Sequence, residues 1–298
     1  MQVENGVLDR GVAVREADLP WVDIGVRPGY KQRYQGFFDK SRGIGCRIGS
    51  LYADPYFHSP RHRHTFQQIR YVVGGAMKYG KEIYGVGDCL YIPEGAYYGP
   101  VKPVKEDEGG TGQMHFVDIQ FMGPSGIPYP DPDDVVKAQR ELAKTGKFHE
   151  GVYTFPDGRN RDAYEAILEK LTGKNIEYPP SRLTSYVVMR SAHYPFCPHP
   201  KLAAVAQKHL GYFFENGPNI KLLSLKAGHS IPAGRPEGHR AVFLVGGAAK
   251  FAGEKFASLS YFMLPDGEMH DSVIATEDVV MLVMGWAPPL KTLPFELF

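Results

Sequence analysis

The sequence predicts a mainly all-β chain, two jelly-roll β-barrels in one polypeptide joined by a partly helical connector. Three observations carry this expectation. Two segments align without a gap at an offset of 172 residues (232 − 60). Within each segment, β-branched and aromatic runs alternate with Gly-Gly and Pro-x-Gly punctuation. Between the segments, the hydrophobic period switches to that of a helix.

The repeat sets the architecture. Segments 60–98 and 232–270 share ten identities in 39 positions, where chance gives about two or three. Pro60 meets Pro232, and Arg63 meets Arg235. Val73-Gly74-Gly75-Ala76 meets Val245-Gly246-Gly247-Ala248, and Pro93-Glu94-Gly95 meets Pro265-Asp266-Gly267. Tyr71, Tyr79 and Tyr84 meet Phe243, Phe251 and Phe256. Such self-similarity marks one supersecondary unit used twice. Farther on, FVDIQFMGP (116–124) resembles DVVMLVMGW (278–286), after a loop about ten residues longer in the first copy. That loop, KEDEGGTG, is polar and glycine-rich, as a solvent-exposed connection would be.

Each copy reads strand, Gly-Gly turn, strand, Pro-x-Gly turn, strand. IRYVV and AVFLV close on Gly-Gly, and the Pro-acid-Gly turns suit Pro at i+1 of a β-turn with Gly where φ is positive. Many short strands joined in this way imply a sandwich or jelly roll. Between the copies, DPDDVVKAQRELAKTG (131–146) offers an Asp131 cap, helix formers and a Gly stop. NRDAYEAILEKLTG (160–173) puts Tyr164, Ile167, Leu168 and Leu171 on one helical face. PKLAAVAQKHLG (200–211) is a third, shorter helix candidate, and SAHYPFCPHP (191–200) reads as irregular. The expected division is an N-terminal arm at 1–34, a first barrel at 35–125, a connector at 126–209 and a second barrel at 210–298.

Composition narrows the function. With 43% hydrophobic and 22% charged residues, the 298-residue chain can bury a sizeable core. Its 18 Tyr, 17 Phe, 34 Gly and 24 Pro favour short strands and turns. A net charge of +1 gives no field that would argue for nucleic acid or a membrane surface. No apolar run approaches the roughly 18 residues of a membrane span. The N-terminal stretch lacks a basic-then-apolar organisation, so a signal peptide is not expected and the cytoplasm is the default location. Cys46, Cys89 and Cys197 are odd in number and unevenly spaced, which argues against a disulfide framework.

The chemistry concentrates in HRHTFQQIR (62–70). On a strand from 62 onward the even positions share one face: His62, His64, Phe66, Gln68, Arg70 and Val72. Two imidazoles and one amide oxygen on a single wall make a transition-metal site of the type open to Fe(II), Mn, Ni, Cu or Zn. Neighbouring Arg61 and Arg63 allow the plainer reading of a basic, solvated strand edge.

The sequence here resembles the cupins. Their first motif runs Gly, His-x-His, a short spacer, Glu and Gly; His62-x-His64-x3-Gln68-x5-Gly74 fits it, with Gln68 where the Glu would stand and Gly49 too far upstream for the leading glycine. Their second motif, Gly-x5-Pro-x-Gly-x2-His, fits Gly87-x5-Pro93-x-Gly95-x2-Tyr98 except at its last position. The second copy keeps Pro265-x-Gly267-x2-His270 but has Gly234, Pro236 and Arg240 in place of His62, His64 and Gln68. The resemblance covers about 35–125 and 210–290. It implies a bicupin whose first barrel holds one divalent transition metal, Fe(II) foremost, on His62, His64 and Gln68, while the second barrel is a degenerate copy.

Tyr98 is a candidate fourth ligand, substrate hydrogen-bond donor or proton donor, and His115 joins if its strand faces inward. Three neutral ligands leave the metal's charge uncompensated, which favours an anionic or chelating substrate, and an inward Arg70 would reinforce that preference. The resemblance implies a dioxygenase acting on a small organic acid, diketone or phenol. The alternatives are a non-redox metal-dependent lyase, isomerase or hydrolase, and a metal-free ligand-binding protein. The expected partner is a small-molecule substrate, with neither nucleic acid nor membrane, and edge-to-edge barrel pairing allows a homodimer. Arg240 and His270 could pair to bind an anion, although a structural salt bridge or a satisfied histidine is the plainer reading. His193, Cys197 and His199 have loose zinc-like spacing without an evident fourth ligand.

Overall fold

The fold is that of a computed structural model, which describes residues 12–23, 29–39, 44–123, 130, 132–178, 180–214 and 217–286. The first residues read above for a signal segment and the Asp131 cap lie outside the described residues. The first strands are β1 (Val12–Val14), β2 (Val22–Asp23), β3 (Tyr30–Asp39), β4 (Ile44–Ala53), β5 (Phe66–Tyr79), β6 (Glu82–Gly85), β7 (Asp88–Ile92), β8 (Val101–Pro103) and β9 (Met114–Met122). Helix α1 (Pro132–Leu142) follows, then the small sheet β10 (Lys147–His149), β11 (Val152–Thr154) and β12 (Asn160–Asp162), then α2 (Ala163–Thr172). The chain continues with β13 (Val187–Arg190), β14 (Cys197–His199), β15 (Leu202–Tyr212), β16 (Asn219–Leu225), β17 (Ser230–Ile231) and β18 (His239–Gly246). It ends with β19 (Ala249–Phe251), β20 (Glu254–Phe256), β21 (Tyr261–Leu264), β22 (Val273–Ala275) and β23 (Val279–Trp286).

Two compact units divide the chain, one of Pro20–Met189 and one of Met1–Leu19 with Arg190–Phe298. In the first, a sheet runs β13-β7-β5-β9-β4-β3-β2, and the far end of β5 pairs with β6 and β8 in a second sheet. Strand β5 therefore belongs to both sheets. It turns the corner at Gly74–Gly75, where the register with β9 shifts. A bulge of this kind lets a strand switch sheets. Gly75 sits at φ 64°, and a Cβ there would lie 2.1 Å from the Gln113 carbonyl oxygen. Gly247 repeats this at φ 76°, 2.1 Å from the Asp278 carbonyl oxygen. The Gly-Gly pair is thus a corner in the first copy rather than the expected hairpin turn.

In the other unit a sheet runs β1-β21-β18-β23-β16-β15-β14 against a smaller one of β17-β22-β19-β20. Its core gathers Leu223, Leu225, Val242, Leu244, Phe262 and Val283. The first unit's barrel has its own core, with Leu51, Val72, Met77, Leu90, Ile92 and Phe116. Backbone bridges fix the internal repeat: His62 opposes Tyr98, and Gly234 opposes His270 at the same offset of 172. The Gly95 amide donates to the His64 carbonyl at 2.8 Å, and the Gly267 amide to that of Pro236 at 2.9 Å.

Three local expectations are corrected. Residues 200–211 form most of β15, not a helix. Their Ala-rich composition favours helix, but β16 and β14 take their backbone groups from either side, and that pairing overrides propensity. In the Pro-x-Gly turns, Ala96 N donates to Pro93 O, so Pro93 occupies position i rather than i+1, with Gly95 at φ 71°. Gly74 opposes His115 and Gly246 opposes Val280, so the strands after the loop match at an offset of 165. The first copy's loop is therefore longer by seven residues (172 − 165), and 116–121 is equivalent to 281–286.

Strand β3, opening at Tyr30, joins the first barrel's sheet, and the helices fall in the same unit. Strands β14 and β15 join the second barrel's sheet, which Val12–Val14 completes at its edge.

Candidate metal centre

The strand pairing places the predicted face of β5 inside the first barrel. Gln68 opposes Ile92 and Gln120, and Arg70 opposes Leu90 and Asp118. Leu90, Ile92 and Val72 are core there. His62 is 4% exposed, His64 8% and Gln68 0%, which rules out the solvated-edge reading. His62 and His64 bring their ring centroids to 4.8 Å. The backbone bridge sets His62 opposite Tyr98, whose ring lies 4.4 Å from the His62 ring.

Tyr98 is the hub. Its hydroxyl lies 2.8 Å from His64 Nε2, 3.3 Å from Gln68 Nε2 and 3.4 Å from Arg70 Nη2. Gln68 Nε2 and Arg70 Nη2 can only donate, so the phenol oxygen accepts from both and its own proton is directed to His64 Nε2. His62 Nδ1 lies 2.7 Å from the Pro60 carbonyl oxygen. A carbonyl only accepts, so Nδ1 carries the proton and Nε2 keeps the lone pair, the tautomer a metal requires. Gln68 turns its NH2 to Tyr98, leaving Oε1 buried with no hydrogen-bond partner. Such an orphaned acceptor is costly unless something else satisfies it.

Four of the five predicted site residues, His62, His64, Gln68 and Tyr98, thus meet within one buried place, and Arg70 reaches it through the Tyr98 hydroxyl. Their donor set is two imidazoles, an amide oxygen and a phenol, and it fits a divalent transition metal. Among the described residues, no group of three or more His, Cys, Asp or Glu side chains gathers anywhere, so the donors beside His62 and His64 are of other types, the Gln68 amide and the Tyr98 phenol. His193, Cys197 and His199 accordingly form no zinc cluster.

His115 lies apart. On β9 the inward residues are Phe116, Asp118 and Gln120, so His115 has the opposite parity; its ring lies 6.3 Å from that of Trp21. Cys46 and Cys89 are buried, and burial pushes both thiols up, away from nucleophilic use.

The structure adds partners that sequence reasoning missed. Asp118 lies 3.8 Å from Arg70 Nε and accepts from Gln120 Nε2 at 3.0 Å. Gln120 accepts from Arg47 at 2.9 Å, and Arg47 also donates to Gln32. Burial raises the Asp118 pKa, outweighing Arg70, Arg47 and the Gln120 hydrogen bond. Burial works against the Arg70 charge, but Tyr79, Tyr98 and Asp118 outweigh it and hold the guanidinium well above its usual value. Arg70 also donates to the Tyr79 hydroxyl at 2.6 Å. The signal for Asp118 and Gln120 was present in FVDIQFM, where two polar residues of one parity interrupt an apolar strand. Tyr79 was hidden by the bulge, beyond which odd positions turn inward. From α2, Tyr164 sets its ring edge-on to His64 at 4.7 Å, while Phe66 stacks on His64 at 4.5 Å. Asp162 caps α2 by accepting from the Tyr164 and Glu165 amides, which fixes the start of the helix that carries this ring.

In the second barrel, Arg240 and His270 do occupy the places of Gln68 and Tyr98. Arg240 forms no salt bridge among the described residues, and His270 Nδ1 donates to the Asp271 carbonyl at 2.8 Å. No helix of the described residues is long and apolar enough to cross a membrane.

No family model matches the sequence, and no curated protein sequence matches it. Solved structures share its fold. A Nostoc punctiforme protein described as a candidate dioxygenase superposes with a TM-score of 0.65 at 12% identity, covering 97% of this chain and 86% of that one. Streptomyces albus HEPD, crystallised with 2-hydroxyethylphosphonate and Fe(II), gives 0.55 at 13% identity over 99% and 79%. Bacillus subtilis oxalate decarboxylase gives 0.56 at 12% identity over 95% and 78%. What these structures share with the chain is the fold, two jelly-roll β-barrels in one polypeptide.

Proposed function

We infer that this chain is a metal-dependent bicupin enzyme, a dioxygenase acting on a small anionic or chelating organic substrate such as an organic acid, diketone or phenol. The observation that carries this reading is the gathering of His62, His64 and Gln68 around Tyr98 inside the first barrel: the His62 ring packs on the Tyr98 ring, His64 Nε2 and Gln68 Nε2 meet its hydroxyl, and Gln68 Oε1 is left buried without a hydrogen-bond partner. His62, His64 and Gln68 would hold the ion, Fe(II) foremost, with Mn, Ni, Cu and Zn open to the same donors. Bound there, a transition metal supplies Lewis-acid chemistry and open positions for O2. Two fold neighbours support a small-anion substrate, one crystallised with 2-hydroxyethylphosphonate and Fe(II) and the other an oxalate decarboxylase.

The chain's own groups do the rest. All three candidate ligands are neutral, so the substrate must bring the compensating negative charge. Tyr98 holds a proton on its oxygen. If that proton leaves, the donors from Gln68 and Arg70 stabilise the phenolate. Asp118, beside Arg70 Nε, keeps the Arg70 fork aimed at Tyr79 and Tyr98. Phe66 and Tyr164 enclose His64 in aromatic surface and keep water from its ring.

The test is elemental analysis of protein purified without a nickel-binding tag and reconstituted with Fe(II) under anaerobic conditions, followed by O2 uptake over a panel of organic acids, diketones and phenols. The reading requires near one equivalent of metal per chain, falling below about 0.2 in the double variant H62A/H64A. Metal without O2 uptake would favour a non-redox lyase, isomerase or hydrolase. One observation favours a metal-free binding protein: the His64 Nε2 lone pair already receives the Tyr98 proton at 2.8 Å. Failure to retain metal after reconstitution would decide for it.

A further inference from the structure

We propose that the second barrel binds a small oxyanion carrying two or more anionic oxygens, gripped by Lys221 and Arg240 across the side-chain-free position Gly285. This site is independent of the metal and of the reaction argued for the first barrel.

The register fixes its geometry. Strands β16, β23 and β18 are neighbours. One row across them reads Asn219, Gly285, Arg240, and the row two residues on reads Lys221, Val283, Val242. Rows two residues apart share a face, and Val242, Val283 and Leu223 place that face in the barrel core. Lys221 and Arg240 therefore rise into the same interior from the two strands that flank β23. Between them, a Cβ added at Gly285 would meet nothing nearer than the His239 carbonyl oxygen at 3.8 Å and Arg240 Cγ at 3.9 Å.

Comparison with the first barrel shows what has changed. Its equivalent rows read Arg47, Gln120, Gln68 and Gly49, Asp118, Arg70. There the buried Asp118 carboxylate lies among the cations. In the second barrel Val283 replaces that carboxylate, while Lys221 and Arg240 replace Gly49 and Gln68. Among the described residues, neither cation has a hydrogen bond or ion pair. Glu237, whose charge reaches Arg240, is exposed and makes no ion pair with it.

The electrostatics agree with the placement. Burial lowers the pKa of Lys221, and the Arg240 charge lowers it further. Burial likewise lowers that of His199, followed by the charges of Lys221 and Lys201. Asn219 Oδ1 lies 2.8 Å from His209 Nε2, so the Asn219 carbonyl accepts and its NH2 remains a donor. Two half-buried cations without an acid between them repel each other, and a dianion satisfies both. Phosphate, a phosphate monoester and a dicarboxylate share that chemistry.

The test is calorimetric titration of the full-length protein with inorganic phosphate and, separately, malonate at constant ionic strength. Saturable one-to-one binding is expected, with phosphate or malonate the tighter according to the source of the anion. K221M and R240Q should each weaken it by about tenfold or more, and R240K should retain most of it. H62A/H64A should leave the affinity unchanged, which separates this result from any failure of the metal reading. No saturable binding of either anion, or binding that survives both K221M and R240Q, overturns the proposal. If the variants do not fold, lysine 13Cε spectra of the wild-type protein decide: a lysine resonance that moves on titration supports the site, and none moving overturns it.

Discussion

His62 and Tyr98 exchange two backbone hydrogen bonds, His62 N to Tyr98 O at 3.0 Å and Tyr98 N to His62 O at 2.9 Å. This bridge binds the first motif to the second. An imidazole and a phenol separated by 36 residues of sequence are thereby held as neighbours before their side chains interact. Gly234 and His270 make the same bridge at 3.2 and 2.9 Å in the second barrel, where no imidazole faces the His270 ring from the first motif's side. The scaffold has been kept and its donors removed.

Replacing Gln68 by Glu should tighten metal binding. The amide oxygen is already buried without a hydrogen-bond partner, and a carboxylate there adds the negative charge the donor set lacks. An affinity gain of about tenfold or more is expected in chelator competition. Unchanged retention would remove Gln68 from the ligand set.

Tyr98→Phe should keep the ring and lose the hub. Gln68, Arg70 and His64 each lose a partner, and unfolding in urea should show a cost of about 1–3 kcal/mol. Metal stoichiometry should hold, because the role argued for this hydroxyl is holding a proton. Loss of the ion in this variant would make Tyr98 a ligand instead.

Asp118 gives a pH signature. Its folded pKa is raised above the ordinary 3.8, first by burial. The folded state therefore binds the proton more tightly than the unfolded chain. The stabilising contribution is fully present below 3.8 and is lost as pH rises through the folded pKa. Asp118→Asn should flatten that part of the stability curve, so the difference between wild type and variant must vary with pH above 3.8. A constant difference would contradict the burial argument.

Gly75→Ala should cost more than Gly80→Ala. Both glycines have positive φ, 64° and 59°. At Gly75 the new Cβ meets the Gln113 carbonyl oxygen, whereas at Gly80 nothing lies within 4 Å. Urea denaturation should show about 1–3 kcal/mol at Gly80, with Gly75 clearly above it.

Much of this was legible in the sequence because it was written twice. The offset of 172 that aligned Pro60 with Pro232 also aligns the two backbone bridges and both Gly-Gly corners. Gln68 and Arg70 followed from strand parity; His62 and His64 precede β5, which opens at Phe66 rather than at 62, and the backbone bridge between His62 and Tyr98 fixes their place. What parity could not show lay beyond a bulge: Tyr79 turns inward only because the register slips at Gly74. Asp118 and Gln120 are hidden in an alignment with 278–286, because the seven-residue loop difference puts that alignment three positions out. Segment 200–211 failed for another reason. Its alanines favour a helix, and only its neighbours in space make it a strand.

The short pairing of Val12–Val14 with Tyr261–Leu264 has a consequence for how the molecule is made. A strand that leaves the ribosome early finds its place only when the last quarter of the polypeptide has been synthesised. Until then the segment that will close the C-terminal sheet's border is a tether on the N-terminal side of a barrel already able to collapse. Shortening the chain before Glu16 would move the sheet's border inward, from the three-residue ribbon to the longer, buried Tyr261–Leu264 strand.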